Sequence, residues 1–64
     1  MKKYMVIGDD GEETFSCFFD TLDQAEDCRM NGAVSLGYMM QVYEWTEIKE
    51  DGLVMGHEYV MIYE

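Results

Sequence analysis

Short apolar runs at the start of the chain alternate with a cluster of glycine and acidic residues, which is the pattern of a β-hairpin. Residues 3–7 are predicted to form a first strand, and residues 14–19 a second one. Between them, residues 8–13 contain Gly and Asp, residue types that tolerate the positive φ angles of a hairpin connection. The pattern therefore predicts two antiparallel strands joined by an acidic loop.

The hydrophobic period changes from that of a strand to that of a helix after residue 20. Thr21 and Gln24 have the spacing of a capping box, in which each side chain binds the free backbone N–H of the other residue. On a wheel of about 100° per residue, apolar or small residues fall on one side and polar residues on the other. The first side carries Leu22, Ala25, Cys28 and Gly32, and the second carries Asp20, Asp23, Asp27 and Asn31. We predict an amphipathic helix that ends near Ser35, with Gly32 or Gly37 closing it.

Aromatic, Met and β-branched residues dominate the second half of the chain. Residues 38–48 predict a long third strand, and residues 53–63 predict a fourth. The intervening residues 49–52 end in Asp51-Gly52, a strong signal for a tight turn. The predicted fold is one α+β domain spanning residues 1–64, with a four-stranded antiparallel sheet, one helix on one face, and the order β-β-α-β-β.

Both faces of this sheet are predicted to be apolar, because side chains alternate along each strand. In the fourth strand one face carries Val54, Val60 and Ile62, and the other carries Met55, His57, Tyr59, Met61 and Tyr63. In the third strand the corresponding sets are Met40 and Val42, and Met39, Tyr43 and Trp45. Because one helix covers only one face, the other is expected to expose an apolar patch of the kind that marks interfaces. We expect either a homodimer or a sheet twisted strongly enough to shield this face itself.

Composition limits the class of protein and its location. With 48% hydrophobic residues, the chain is too apolar for an acidic disordered tail. The N-terminal apolar run is too short for a signal peptide, and no segment approaches the roughly 20 apolar residues of a membrane span, so we expect a cytoplasmic protein without membrane contact. Cys17 and Cys28 match neither a zinc pattern nor a disulfide framework. We interpret both as reduced, buried small hydrophobic residues.

Fourteen Asp and Glu against four Lys and Arg give the chain a formal charge of −10. The acidic residues form three groups on elements predicted to be exposed: Asp9, Asp10, Glu12 and Glu13 in the first hairpin loop; Asp20, Asp23, Glu26 and Asp27 on the helix; Glu44, Glu47, Glu50 and Asp51 in the second hairpin. Rows of carboxylates on a rigid face imitate the charge density of nucleic acid. The alternative is that the helix acids favour the helix dipole and the acidic turns are simply solvated. That alternative does not explain the scarcity of basic residues.

No residue pattern indicates catalysis, a metal site or a cofactor. Residues 9–13 are acidic but lack the D-x-D-x-D-G order of a calcium loop. His57 and Glu58 are neighbours in a strand, so their side chains are expected on opposite faces and not as a pair. The scarcity of Lys and Arg disfavours direct binding to DNA or RNA. We therefore expect a non-enzymatic protein that binds a basic protein surface.

In its small size, high negative charge and β-β-α-β-β order, the chain resembles anti-CRISPR and anti-restriction proteins. Residues 18–26, Phe-Phe-Asp-Thr-Leu-Asp-Gln-Ala-Glu, look like the strand-to-helix junction found in many small acidic proteins of phages and mobile elements. The resemblance implies an inhibitor in the host bacterial cell that occupies the DNA- or RNA-binding surface of a defence nuclease, for example a CRISPR effector. It implies no catalysis, and a dimer in some members.

The residues expected to bind such a partner are nine acids for electrostatic steering and two aromatic anchors. They are Asp9, Asp10, Glu12, Glu13, Asp23, Asp27, Glu47, Glu50 and Asp51, with Tyr43 and Trp45 as the anchors. The alternative function is a small structural or regulatory homodimeric module of phage or mobile-element origin, whose acidity serves only solubility.

Overall fold

A computed structural model describes residues 2–63 and confirms the predicted α+β fold. The elements are β1 (Tyr4–Asp9), β2 (Thr14–Phe19), α1 (Leu22–Met30), β3 (Met39–Glu50) and β4 (Leu53–Tyr63). A π-helical segment, Asn31–Ser35, continues α1, so the helical stretch ends at Ser35 as predicted. The strands form one antiparallel sheet in the order β2-β1-β3-β4, which places β4 and β2 at its two edges.

The predicted capping box sets the start of α1. The Thr21 hydroxyl accepts a hydrogen bond from the Gln24 backbone N–H at 3.3 Å, and the Gln24 side-chain carbonyl accepts one from the Thr21 N–H at 3.3 Å. These two bonds satisfy donors that the first helical turn leaves free. With its start defined in this way, α1 turns Leu22, Ala25 and Cys28 towards the sheet.

The core lies between α1 and the central strands β1 and β3. Val6, Ala25, Met40 and Val42 are buried there, and Tyr4, Phe19, Leu22, Cys28, Ala33 and Tyr38 pack around them. Gly32 is also buried, and a Cβ at this position would lie 2.5 Å from the Met40 sulfur. The absence of a side chain at Gly32 lets the π-helical segment approach β3 closely.

The β3–β4 hairpin is much longer than the rest of the sheet. β1 pairs with β3 only from Met39 to Glu44, and β3 pairs with β4 alone beyond Trp45. We call residues 46–58 the hairpin arm; it extends the molecule to 43 × 23 × 17 Å. β3 runs two residues beyond the predicted Ile48, because the connection uses only Asp51 and Gly52, with φ of 53° and 80°. Positive φ at both residues is typical of the tight hairpin turn that Asp-Gly favours.

Two β-bulges in β4 place two side chains on the face opposite to the predicted one. The register shifts between Val42 and Tyr43 and again between Ile48 and Lys49. Each shift inserts an extra residue in β4, first Ile62 and then Met55, and an extra residue reverses the alternation of side chains. The prediction for Tyr63 and Val54 was therefore wrong.

The register shows where these two side chains lie. Tyr63 pairs with Val42 on the helix-bearing side, and the Arg29 guanidinium lies 5.7 Å from the centre of its ring. Val54 pairs with Lys49 on the side away from α1. The bulges therefore bring one aromatic residue to the helix-bearing side and one valine to the opposite side.

Replacement of a central core side chain tests how much stability this small core contributes. Val42 is fully buried, so Val42→Ala is expected to lower the free energy of unfolding by about 2 kcal/mol through lost burial and the cavity left behind. Urea denaturation followed by circular dichroism measures the change. Val34 is 72% exposed, and Val34→Ala is the matched control with no expected loss. Equal effects of the two substitutions would contradict the assignment of the core.

Candidate protein-binding surface

Two carboxylates shape the loop between β1 and β2. Asp9 Oδ1 accepts a hydrogen bond from the Gly11 N–H at 2.8 Å. Asp10 Oδ1 accepts bonds from the N–H groups of Glu12 and Glu13, both at 2.8 Å. The bond from Glu13, followed by that from Glu12, lowers the pKa of Asp10 because both favour its charged form. Asp9 and Asp10 thus order the loop, while the side chains of Glu12 and Glu13 are exposed.

The acidic residues around α1 divide into paired and unpaired groups. Glu26 accepts a hydrogen bond from the Arg29 guanidinium at 3.0 Å, and Asp20 lies 3.3 Å from the Lys2 amine. Asp23 and Asp27 are exposed on the outer surface of α1 and take part in no ion pair among residues 2–63. They lie about 6 Å apart along the helix axis.

The acidic residues of the last hairpin are distributed over both sides of the sheet. Alternation along β3 places Glu44 and Glu50 on the side of Val42, and Glu58 pairs with Thr46 on that same side. Glu47 lies on the opposite side, where its carboxylate is 3.6 Å from the Lys49 amine. We call the helix-bearing side, with Asp23, Asp27, Glu44, Glu50 and Glu58, the acidic side.

The structure does not bring the nine predicted acidic residues into one patch. Asp9 pairs with Met39 at the start of β3, whereas Glu50 is the last residue of that strand. At about 3.4 Å per residue, these positions are about 37 Å apart. The loop acids and the acids of the arm tip therefore lie at opposite ends of the long axis. The helix acids Asp23 and Asp27 lie on the acidic side.

Most of the carboxylates lack a basic partner. Residues 2–63 contain thirteen Asp and Glu, which is the fourteen of the chain less Glu64. Asp20, Glu26 and Glu47 form the three ion pairs, so ten of the thirteen are outside ion pairs. Lys3 is instead placed 5.8 Å from the centre of the Tyr4 ring. The negative charge of the chain is therefore largely presented to solvent.

Aromatic and Met side chains cover the sheet surface opposite α1, which we call the open face. It carries Met5, Ile7, Phe18, Tyr43, Trp45, Tyr59 and Met61. The Trp45 and Tyr59 rings are 4.8 Å apart, and Phe18 on β2 reaches to 6.0 Å from Tyr59 on β4. Because β2 and β4 are the two edge strands, this contact shows that the sheet curves towards the open face.

Hydrogen bonds and stacking order the side chains of the open face. The Tyr59 hydroxyl donates to the Lys2 carbonyl at 2.8 Å, and the Tyr43 hydroxyl donates to the Gln41 side chain at 3.0 Å. The His57 ring stacks on Trp45 at 5.6 Å with an angle of 6° between the planes. Tyr43, Trp45 and Tyr59 are half-buried as a result, while Phe18 and Met61 remain exposed. The predicted shielding by sheet shape is thus partial.

The predicted anchors Tyr43 and Trp45 lie on the open face, away from Asp23 and Asp27 on the acidic side. Sequence reasoning did not include Phe18 in this face. Val6 lies on the core side, so its neighbour Met5 lies on the open face. Phe18 pairs with Met5 and therefore lies on the open face too. Identifying it required the β1–β2 register.

The thiols and the imidazole are separated by the sheet. Cys17 pairs with Val6 on the helix-bearing side, and Cys28 is on α1; both are free and half-buried, and thus less buried than predicted. Burial raises the pKa of the Cys28 thiol, and the neighbouring Cys17 raises it further. His57 pairs with Glu47 on the open face, so no cysteine–histidine pair forms. Within residues 2–63, no three His, Cys, Asp or Glu side chains are grouped to hold a metal ion.

Comparison of the chain with protein-family models, with curated proteins and with solved structures finds no match. Over the part of the chain that the structure describes, no helix has the length and apolar character needed to span a bilayer. The candidate binding surfaces of the chain are the acidic side with its two acidic ends and the open face.

The hydrogen bonds of Asp10 predict a pH-dependent contribution to stability. Because the folded pKa of Asp10 is lowered from 3.8, its charged form stabilises the fold above that pH, and the contribution disappears as the pH falls through the lower folded value. Wild type is expected to exceed Asp10→Asn in stability at pH 7, with the difference shrinking below pH 3.8. Urea denaturation of wild type and Asp10→Asn, at pH 7 and below pH 3.8, measures the difference in the free energy of unfolding.

Glu12→Gln is the matched control, because the Glu12 carboxylate accepts no hydrogen bond in the loop. Its difference from wild type is expected to be small at both pH values. A difference between wild type and Asp10→Asn that stays the same across the acid range would contradict the role given to the Asp10 charge.

Proposed function

We propose that this chain is a non-enzymatic inhibitor that binds a basic, nucleic-acid-binding surface of a bacterial defence nuclease complex. The contact surface in this proposal is the acidic side together with the β1–β2 loop and the tip of the hairpin arm. The observation that carries the proposal is that ten of thirteen carboxylates in residues 2–63 lie outside ion pairs on a folded scaffold. Unpaired exposed carboxylates attract a basic groove over the distance that salt allows.

The scaffold holds these charges at defined positions, which a disordered acidic tail does not. Backbone N–H groups fix the carboxylates of Asp9 and Asp10 in the loop. Asp23 and Asp27 are held by a helix whose first turn is capped, and Glu50 by paired strands. Charges that are already ordered lose less conformational entropy on binding, so more of their attraction contributes to affinity.

The separation of the acidic ends also supports imitation of a duplex. Asp9 and Glu50 are about 37 Å apart along β3, at about 3.4 Å per residue. One turn of duplex DNA spans about 34–36 Å, and successive phosphates of one strand follow at about 3.4 Å along the axis. A groove that contacts phosphates one helical turn apart would thus meet a carboxylate group at each end of this molecule.

The open face takes no part in the proposed contact with the basic groove. Tyr43 and Trp45 lie on the side of the sheet away from α1, so a groove that contacts Asp23 and Asp27 does not reach them. The proposed binding energy therefore comes from the acids rather than from the two predicted aromatic anchors. Charge-dominated binding of this kind is fast and salt-sensitive.

Neutralising acids that have no structural contact tests the proposal. The variant combines Glu12→Gln, Glu13→Gln, Asp27→Asn and Glu50→Gln, whose side chains make none of the hydrogen bonds described above. At about 0.5 kcal/mol for each lost charge interaction, the affinity for the target is expected to fall by about thirtyfold. Cleavage of labelled target DNA by guide-loaded CRISPR effectors, single-subunit and multisubunit, measures inhibition.

A variant with the same charge at the same four positions is the matched control. Glu12→Asp, Glu13→Asp, Asp27→Glu and Glu50→Asp keep the four carboxylates, so inhibition is expected to persist and to weaken as salt increases. Circular dichroism establishes that both variants are folded. Equal inhibition by the neutralised and the control variant, or no inhibition of either effector type by wild type, would contradict the proposal.

A further inference from the structure

Strand β4 is an uncovered edge of the sheet. It is the outermost strand next to β3, and its backbone donors and acceptors along the outer side have no neighbouring strand among residues 2–63. Seven of its eleven residues are exposed large hydrophobic residues: Leu53, Val54, Met55, Val60, Met61, Ile62 and Tyr63. It contains neither Lys nor Pro, the residues with which proteins commonly prevent an edge from pairing. Such an edge is a template for another strand.

The charge of the chain limits what approaches this edge. Each copy carries a formal charge of −10, so two copies repel each other over most of their surfaces. Within β4, Glu58 is the only acidic residue, and His57 is the only other ionisable side chain apart from tyrosines. On the adjoining open face, the Glu47 charge is balanced by Lys49 at 3.6 Å. A second copy therefore meets the least repulsion along β4.

We propose that two copies of this chain pair through β4 in an antiparallel arrangement around a two-fold axis, joining their sheets into one of eight strands. A two-fold interface requires the same patch on both partners, and an antiparallel pair of identical strands meets that requirement. The pairing satisfies the free backbone groups of both edges and covers apolar side chains that the small core leaves exposed. The inference is independent of the proposed inhibitor function.

The bulges and the charges select the register of this pair. Met55 and Ile62 are the extra residues of the two bulges, so residues 56–61 form the regular part of the edge. A two-fold axis normal to the sheet passes through a residue position, because paired residues share a face. An axis at Glu58 would place two carboxylates directly opposite each other, which is unfavourable. Of the two positions at the middle of residues 56–61, Glu58 and Tyr59, we therefore place the axis at Tyr59, which sets Met61 opposite His57 and Val60 opposite Glu58 of the second copy.

Sedimentation velocity over a range of protein concentrations tests the pairing, with Met61→Lys as the disrupting variant. Met61 and Met30 have similar exposure, 44% and 48%, so Met30→Lys adds the same side chain on α1 and not in the edge strand. Wild type and Met30→Lys are expected to form dimers. Met61→Lys is expected to raise the dimer dissociation constant by about tenfold or more, because two lysines enter the paired edge.

Val60→Lys tests the register. In the Tyr59-centred pair this lysine lies opposite Glu58 of the second copy, so the dimer is expected to persist. Loss of the dimer in Val60→Lys would overturn that register.

Hydrogen exchange of the wild-type β4 amides supplies a test that requires no variant. Their protection is expected to rise with protein concentration, while protection in β2, the other edge, stays constant.

Salt separates this inference from the proposed function. Screening weakens attraction to a basic partner but also weakens repulsion between two acidic copies. Between about 50 mM and about 500 mM NaCl, the dimer is therefore expected to tighten while inhibition of a nuclease weakens. A wild-type chain that is monomeric at high concentration and high salt would overturn the pairing and leave the inhibitor proposal untouched. Dimers of Met61→Lys as stable as those of wild type would also overturn it.

Discussion

The structure depends on the packing of one helical segment against one face of a four-stranded sheet. Val6, Met40 and Val42 from the sheet meet Ala25 from α1, and these four side chains are the buried hydrophobic core of residues 2–63. A domain of this size hides only about 60% of its unfolded surface, so a single core of this kind gives limited stability. Because the helix covers only one face of the sheet, the opposite face has no covering layer.

The two sides of the sheet consequently have different electrostatic character. The outer surface of α1 and the same side of β3 and β4 carry Asp23, Asp27, Glu44, Glu50 and Glu58. The open face carries mainly aromatic and Met side chains, with the Glu47 charge next to Lys49. This segregation underlies both proposals, because it places unpaired carboxylates on the side proposed to bind a basic partner and leaves few charges along the β4 edge proposed to pair with a second copy. The two proposed interactions are expected to respond to salt in opposite directions.

Local irregularities decide the details of these surfaces. The bulges at Met55 and Ile62 reverse the alternation in β4, which takes Tyr63 to the helix-bearing side and leaves residues 56–61 as a regular edge. The tight Asp51-Gly52 turn allows β3 and β4 to continue far beyond β1 and form the hairpin arm. Without the arm, the loop acids and the acids at its tip would not be separated by the length of the molecule.

The sequence by itself determined the element order, the capped start of α1 at Thr21, the Asp51-Gly52 turn and the inward residues of the helix. These features depend on local backbone preferences and on periodicity, which act over a few residues. Only the tertiary structure decided the strand order, the face of Tyr63, the contact of Phe18 with Tyr59 and the separation of the acidic groups. Those features depend on register, bulges and sheet curvature, which arise from pairing between residues distant in the chain and leave no local pattern.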